Sequence, residues 1–255
     1  MNKEALKVRW LAEEAAARIH GWDFSRMEGR YEVVGGLPWD YRKVIGQNLK
    51  PEYAILDMDT GGGEFLLSLN HPLNRCAATE GYGPNVALCK EKLLPLGIDF
   101  RAAAGDGELP FEAERFDLVL NRHGSFDPAQ VWRVLKPGGR FLTQQVGEDN
   151  DRELVDLLLP GTPKPYPGWS LEPVGERIAA QGFEVLHGEE AFRPIRFYDM
   201  GALVWFAKII EWEFPGFSVE TCLPRLLLAQ EQLEQKGCVE GSAHRFLLIA
   251  QKPKR

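Results

Sequence analysis

Residues 54–67 read Ala-Ile-Leu-Asp-Met-Asp-Thr-Gly-Gly-Gly-Glu-Phe-Leu-Leu: a hydrophobic run, a glycine-rich turn and the start of a second apolar run. This order predicts a buried strand, a tight turn and a helix. Glycines in such a turn let the backbone approach a ligand closely, and the N–H groups and dipole of the following helix favour an anion. The stretch indicates a nucleotide-like cofactor, although plain tight turns share the pattern and it does not decide which cofactor is bound.

The surrounding sequence continues this alternation of short apolar runs and helical segments from Tyr53 onward. Near-continuous apolar strands separated by helices are typical of a parallel sheet that is covered on both faces. We therefore predict an α/β fold with a doubly wound, mostly parallel sheet and helices on both faces. The runs that carry this prediction are YAILDM, EFLLSL, RCAATE, NVALCKEKLLPLG, IDFRAAAGD, RFDLVLN, PAQVWRVL and GGRFLTQQVG.

Additional segments precede and interrupt the pattern. Residues 3–19 predict an amphipathic helix, and a short helix is expected after Pro38. Near the other end, two helical segments separate the strand FEVLHGEEAF from the last strand, HRFLLIAQK, where a hairpin would need only about 2–5 residues. We expect a single domain overall, divided into an N-terminal helical arm (1–52), a core (53–195 and 238–255) and a helical lid insertion (196–237).

Composition limits the class of protein. The 255 residues include 30 Lys and Arg against 37 Asp and Glu, which gives a net charge of −7. This balance provides no overall attraction to phosphate backbones, so we expect no nucleic-acid partner. The segment MNKEALKVRWLAEEAAARIH carries charges in every turn, unlike a signal peptide or a membrane span. We expect a cytoplasmic protein without a membrane partner; no oligomeric state follows from the sequence.

The cysteines and histidines show no metal-binding pattern. There is no CxxC pair, and the five histidines show no HxxH or HxxxH spacing. We predict neither a bound metal nor a disulfide framework. The four thiols are consistent with a reducing compartment and are expected to pack as small hydrophobic groups: Cys76, Cys89, Cys222 and Cys238.

Four more motifs follow the glycine-rich turn along the chain. Glu80, at the end of the next strand, is placed to accept hydrogen bonds from a ribose diol. Asp106 follows the third strand in the segment Ala-Gly-Asp-Gly, the fourth strand ends in Asn-Arg-His at 121–123, and Leu-Lys-Pro-Gly-Gly at 135–139 precedes the fifth. In this order the motifs resemble the class I S-adenosylmethionine-dependent methyltransferases, and the resemblance covers most of residues 53–147.

The resemblance implies a sheet topology, a cofactor and a set of cofactor-binding residues. The expected sheet has seven strands, of which the last is antiparallel, and the expected cofactor is S-adenosyl-L-methionine. The implied residues are Asp57, Gly61 and Gly63 for its methionine part, Glu80 with Gly81 for the ribose hydroxyls, Asp106 with Gly107 for the adenine amine, and Asn121 with Arg122 facing both cofactor and substrate.

The chain departs from the family at Asp59, which stands where the first glycine of the loop is usual. Aspartate tolerates left-handed backbone better than most residues, so the turn is expected to form. We hypothesise that the Asp59 carboxylate pairs with the ammonium group of the cofactor's methionine part.

The main competing cofactor is NAD. Dinucleotide-binding folds usually carry Gly-x-Gly-x-x-Gly, and here Gly61-Gly62-Gly63 is followed by Glu-Phe-Leu without a further glycine at the required step. The later motifs also favour the methyltransferases.

Methyl transfer from a sulfonium needs mainly alignment of the two reacting groups and exclusion of water, and a base only where the nucleophile must lose a proton. His123 lies at the end of the fourth strand and is our candidate general base; the alternative is a structural histidine. The segment lacks the Asn/Asp-Pro-Pro-Tyr/Phe signature of enzymes that methylate nucleobase amines.

The acceptor is predicted from residues outside the core. Five of the seven tryptophans lie in the arm or the insertion, and an aromatic lining favours a closed pocket for a small, partly apolar molecule. The insertion is acidic, whereas a surface that faces RNA should be basic. Simple packing of added helices is the alternative for any one tryptophan, and a solvated turn for the acidic segment. The candidate substrate-binding residues are Trp39, Tyr41, Trp205, Glu211 and Trp212.

Two other functions remain open from the sequence. One is methylation of rRNA or tRNA, because the first 50 residues are mildly basic, although they contain no recognisable RNA-binding module. The other is a protein that binds the cofactor without transferring its methyl group.

Overall fold

The structure is a computed structural model that describes residues 2–18 and 24–254. Ile19, at the end of the predicted first helix, and Trp22, one of the five tryptophans of the arm and insertion, lie outside the described residues.

In the part of the chain that the structure describes, eight strands form one sheet, which confirms the predicted α/β class. In chain order they are β1 (Tyr31–Val33), β2 (Ile55–Met58), β3 (Cys76–Glu80), β4 (Asp99–Ala102), β5 (Phe116–Arg122), β6 (Leu135–Val146), β7 (Glu184–Phe197) and β8 (Val239–Gln251). Helices follow or precede most of them: α1 (Lys3–Ala15), α2 (Tyr41–Asn48), α3 (Glu64–Ser68), α4 (Gly83–Lys92), α5 (Pro128–Val134), α6 (Arg152–Leu158), α7 (Leu171–Ala180), α8 (Met200–Ile209) and α9 (Val219–Lys236). Short 3₁₀ turns occur at Ser25–Met27, Leu73–Arg75 and Leu94–Leu96.

The strands are hydrogen-bonded in the order β1-β7-β8-β6-β5-β2-β3-β4. The pairs β2–β3, β3–β4, β2–β5 and β5–β6 are parallel, whereas β8 pairs antiparallel with β6, as expected for the last strand. The expected number of seven strands is wrong by one, because β1 adds an antiparallel edge beside β7. A strand of three residues is too short to show the alternation by which strands are recognised in a sequence.

The described chain divides into two compact units. The core unit comprises residues 38–147, 168–191 and the described part of 245–255. The accessory unit comprises the described part of 1–37 together with 148–167 and 192–244. Residues 38–52, which the sequence analysis assigns to the arm, therefore lie in the core unit.

The core unit is built around buried parallel strands. All residues of β2 and β3 are buried, and their side chains join those of β5 and β6 in one apolar cluster that includes Phe116 and Phe141. Because helices cover both faces of a parallel sheet, such strands are apolar without alternation, which is the pattern that predicted them.

The accessory unit has its own apolar cluster around α8. Helix α8 is apolar on every side, and Met200 to Ala207 are all buried against residues of α1, α6 and α9. A helix that is hydrophobic all round belongs in a core. At its start, Arg30 donates from Nε to Asp199 Oδ2 at 2.6 Å and from Nη2 to Glu13 Oε1 at 2.9 Å, which ties α1 to the cap of α8. The predicted helical insertion before the last strand is confirmed as α8 and α9.

The parallel strands place their carboxyl ends at one edge of the core unit. The order β5-β2-β3 means that the chain leaves β2 on one side and returns on its other side at β5, so β2 and β5 flank a topological switch point. Ligands of open α/β sheets bind outside the carboxyl ends of strands at such a point. The same edge holds the ends of β3 and β4. No described helix combines the length and apolar character needed to cross a membrane.

Candidate functional site

The turn after β2 is held by hydrogen bonds from its own polar residues. Asp57 is buried, and its Oδ2 accepts from the Thr60 hydroxyl at 2.6 Å. Gly63 precedes α3 with a φ of 81°, and a Cβ there would lie 2.7 Å from Leu93 Cδ2, so both the backbone and the packing require glycine. Burial raises the pKa of Asp57 to about 6, while the Thr60 hydroxyl and the charge of Arg122 oppose this shift.

Glu80 joins the turn after β2 to the turn after β3. Its side chain accepts from the Gly61 N–H at Oε2 and from the Tyr82 N–H at Oε1, both at 2.8 Å. The residue is only 5% exposed. Each carboxylate oxygen still has a further lone pair. Glu80 therefore positions the glycine loop and retains acceptor capacity toward a diol.

Asp59 adopts left-handed backbone with a φ of 52°, as the turn requires. Its carboxylate accepts a hydrogen bond from the Gly105 N–H. A Cβ on Gly105 would lie 2.5 Å from Asp59 Oδ2, and one on Gly124 would lie closer still. The Asp59 side chain thus occupies the space that two glycines leave between the turns after β2, β4 and β5. Burial raises its pKa to about 7, and the charges of Glu80, Asp106 and Asp57 add to this shift.

The turns after β3 and β4 also meet closely. A Cβ on Gly81 would lie 2.9 Å from Ala104 Cα, so glycine permits this contact. Asp106 is exposed in the turn after β4, which the Gly107 N–H closes by donating to Ala104 O at 3.1 Å. Its charge raises the pKa of Asp59, which places the two carboxylates near each other. The structure therefore brings Asp57, Asp59, Glu80 and Asp106 together.

The end of β5 contains a buried amide with an unpaired donor. Asn121 is 0% exposed, and its Oδ1 accepts from Gln145 Nε2 and from the Thr143 hydroxyl. Its Nδ2 has no hydrogen-bond partner among the described residues. A buried donor without a partner costs about 1–3 kcal/mol, which a ligand with an acceptor atom would recover. The position of Nδ2 is 3.0 Å from a Cβ built on Gly124, beside the Asp59 carboxylate.

His123 is held in one tautomer by a chain of two side chains. The Trp39 indole N–H donates to Gln144 Oε1 at 2.8 Å, which orients the amide so that its Nε2 faces His123 Nε2 at 3.1 Å. The amide nitrogen donates, so His123 Nε2 accepts and the ring proton is on Nδ1. Although His123 is exposed, desolvation of its ring and the charges of Arg245 and Arg122 lower its pKa to about 3. His123 is therefore neutral near pH 7 and a weak base.

Tyr41 and Phe65 form the floor beneath Arg122. The Tyr41 hydroxyl donates to Leu142 O at 2.9 Å, and its ring stacks on Phe65 at 5.8 Å. The Arg122 guanidinium lies 4.3 Å above the Phe65 ring. Trp39 and Tyr41, two candidate substrate-binding residues, are thus buried with their polar atoms bonded to the protein. Their contact with a substrate stays a prediction.

The other three candidates lie in the accessory unit. Trp205 is 1% exposed in its apolar cluster, edge-on to Phe24 at 6.0 Å, whereas Trp212 is 42% exposed. Glu211 is exposed, 4.0 Å from Lys208 Nζ. Several acidic residues of the insertion pair within the unit: Asp199 with Arg30, Glu220 with Lys7 and Glu213 with Asn150. Part of the local acid excess is therefore structural.

Gln144 and Gln145, whose side-chain amides bind neighbouring groups at the end of β6, were not predicted from the sequence. Gln145 also accepts from the Trp169 N–H at 3.4 Å. Because successive side chains of a strand point to opposite faces of a sheet, Gln144 and Gln145 form hydrogen bonds on opposite faces. Two amides at the end of an otherwise apolar strand were the available signal, because buried amides need partners. Within the described residues, no cluster of three or more His, Cys, Asp and Glu is suited to hold a metal ion.

Comparisons with known proteins agree with this fold. Residues 56–143 match the family model of a methyltransferase domain. A functionally unknown protein from Deinococcus radiodurans R1 has a TM-score of 0.62 at 15% identity, with 98% of this chain and 100% of that chain covered. A candidate methyltransferase from Bacillus halodurans C-125 has a TM-score of 0.57 at 16% identity, covering 84% and 99%. The [4+2]-cyclase SpnF has a TM-score of 0.51 at 18% identity, covering 98% and 93%.

At these identities the solved structures establish the fold alone. No curated protein matches the chain by sequence. Residues 56–143 are therefore similar to a methyltransferase domain, and the chain has a class I methyltransferase fold.

Proposed function

We propose that this chain transfers a methyl group from S-adenosylmethionine to a small, partly apolar acceptor. The observation that carries the proposal is the alignment of Asp57, Glu80 and Asp106 at the ends of three adjacent parallel strands, beside the glycine turn that Glu80 holds. This is the switch-point edge at which α/β folds bind nucleotides.

The residues at this edge fit the cofactor. Glu80 would accept from the ribose diol, Asp106 from the adenine amine, and Asp57 with Gly61 and Gly63 would hold the methionine part. The unpaired Asn121 amide donor supports a bound ligand with an acceptor atom. When bound, the cofactor supplies a methyl group on a positively charged sulfur. Asp59 would add a further negative charge to a site that takes a positively charged ligand.

The residues at the end of β5 orient the acceptor and need not remove a proton. Asn121 is held by Gln145, and His123 is held by Gln144, so both side chains are positioned before a substrate binds. The neutral His123 ring presents Nδ1–H as a donor.

Calorimetry with S-adenosylmethionine, S-adenosylhomocysteine and NAD in separate titrations tests the cofactor. We expect saturable binding of the first two and no heat of binding for NAD. Transfer of a labelled methyl group to small-molecule extracts, with unmodified tRNA and rRNA as parallel acceptors, tests the substrate class. Labelled RNA with unlabelled small molecules would contradict the proposal, and cofactor binding without transfer to either pool would indicate a binding protein.

Replacement of His123 by glutamine is expected to keep turnover within about tenfold of wild type, because loss of a general base costs about 10²–10⁴-fold. Wild type and variant should also have pH–rate profiles of the same shape, since a pKa lowered to about 3 keeps His123 neutral until the pH falls far below 6. Nitrogen-15 NMR of the ring should show the Nδ1–H form from pH 5 to 8. A titration of His123 near pH 6.5, together with a loss beyond a hundredfold, would establish it as the base.

A further inference from the structure

Asp59 brings a fourth carboxylate to the edge of the sheet. Its side chain lies between Gly105 and Gly124, and neither position leaves room for a Cβ beside the carboxylate. The charges that face it come from every strand end around it: Asp57 after β2, Glu80 after β3 and Asp106 after β4. From β5, the groups beside it are the Gly124 backbone and the uncharged Asn121 amide.

Asn121 shows independently that a ligand belongs at this place. Its amide nitrogen is fully buried, has no partner among the described residues and faces the same side of Gly124 as the Asp59 carboxylate. A ligand that satisfies both groups must offer an acceptor atom to the amide and positive charge to the carboxylates. A zwitterionic amino-acid group with an additional cationic centre meets both requirements.

The donor and the product of the proposed reaction differ in this respect. S-adenosylmethionine carries a sulfonium in addition to its ammonium and carboxylate, so its net charge is positive, whereas S-adenosylhomocysteine is neutral overall. Their shapes differ by one methyl group. A negative charge in a partly desolvated site attracts the positively charged donor more strongly than the neutral product, even where the direct contacts to the two molecules are the same.

We propose that Asp59 is a specificity-determining residue, which makes the site favour the positively charged methyl donor over the neutral product. The inference rests on the proposed function and adds to it. Asp59, at the loop position that is usually glycine, therefore weakens inhibition by the product S-adenosylhomocysteine, because transfer of the methyl group removes the positive charge that Asp59 recognises.

The charge state of Asp59 makes the preference depend on pH. Burial and the three neighbouring carboxylates raise its pKa to about 7, so Asp59 is ionised above that pH and protonated below it. Binding of a cation favours the ionised form. The donor should therefore displace a proton from Asp59 when it binds below pH 7, and the preference for the donor should decrease as the pH falls from 8.5 to 6.

Calorimetry with both ligands tests the proposal in wild type, Asp59→Asn and Asp59→Gly. At pH 8.5 we expect each variant to bind S-adenosylmethionine about tenfold more weakly and S-adenosylhomocysteine within about twofold of wild type. At pH 6.5, titration in buffers of different ionisation enthalpy should show proton release with the donor alone, and Asp59→Asn should abolish it. Glu91→Gln, an exposed change on α4, is the matched charge control.

The outcomes separate the alternatives. Equal weakening of both ligands would show that Asp59 pairs only with the shared ammonium group, and unchanged affinities would remove it from recognition; either result overturns the inference and leaves the proposed function standing. Failure of wild type to bind either ligand would overturn both. Asp59→Gly places glycine at a φ of 52°, which glycine adopts without strain, so this variant should fold.

Discussion

Replacement of Glu80 by alanine is expected to weaken binding of S-adenosylhomocysteine by about 100-fold or more. The carboxylate would accept two hydrogen bonds from the ribose diol, and a hydrogen bond to a charged group contributes about 1.5–3 kcal/mol. Two such bonds give at least about 3 kcal/mol, and about 1.4 kcal/mol corresponds to a tenfold change in affinity. The variant also loses the acceptors for the Gly61 and Tyr82 N–H groups, so the glycine loop is no longer held for the ligand.

Calorimetry measures this loss, with Glu80→Gln and the exposed Glu112→Gln as comparisons. A glutamine keeps the shape of Glu80 but can accept at only one end, so an intermediate loss is expected; Glu112→Gln should leave affinity unchanged. Circular dichroism melts must show that each variant is folded at the temperature of the titration. Wild-type affinity in a folded Glu80→Ala protein would rule out the ribose role of Glu80.

Replacement of Trp205 by alanine is expected to destabilise the accessory unit by about 3–5 kcal/mol, as for other large aromatic residues in a core. The side chain is 1% exposed and packs against Phe24 and the other residues of the cluster around α8. Its indole nitrogen is buried without a hydrogen-bond partner among the described residues. Trp205→Phe should therefore cost much less than Trp205→Ala, because it keeps most of the ring and removes an unsatisfied donor.

Urea denaturation followed by circular dichroism measures these differences. The control is Trp212→Ala in the same insertion, which removes a 42% exposed ring and should change the free energy of unfolding by about 0.5 kcal/mol or less. Comparison of Trp205→Ala with Trp212→Ala distinguishes aromatic residues that pack in the core of the insertion from those that are available to bind a substrate. A small loss for Trp205→Ala, with a larger effect on acceptor binding, would support its predicted role as a substrate-binding residue instead.

The strand–turn–helix at residues 54–67 and the acidic residue at the end of the next strand could both be found from the sequence. Glu80 was recognisable because parallel strands place successive carboxyl ends at one edge, so a local motif already implies a shared location. The left-handed turn at Asp59 also followed from local chemistry, since aspartate is one of few residues that tolerate it.

Other features depend on contacts between residues that are distant in sequence. Trp39 illustrates this, because its indole N–H orients the Gln144 amide, which in turn fixes the tautomer of His123. The spacing of these three residues along the chain does not predict the two hydrogen bonds. Trp205 and Trp212 are close in sequence, yet one lies in a core and the other is exposed. Composition alone assigned both to the same role.

The sequence by itself determined the class of fold and the acidic residues at the carboxyl ends of its parallel strands, because periodicity and turn chemistry are local properties of the backbone. The tertiary structure alone decided which of those residues are charged, paired or buried. It also showed that residues 38–52 belong to the core unit and that Asp59 lies between two glycines of other turns. Burial and proximity to other charges set a pKa, and both arise only when distant parts of the chain pack together.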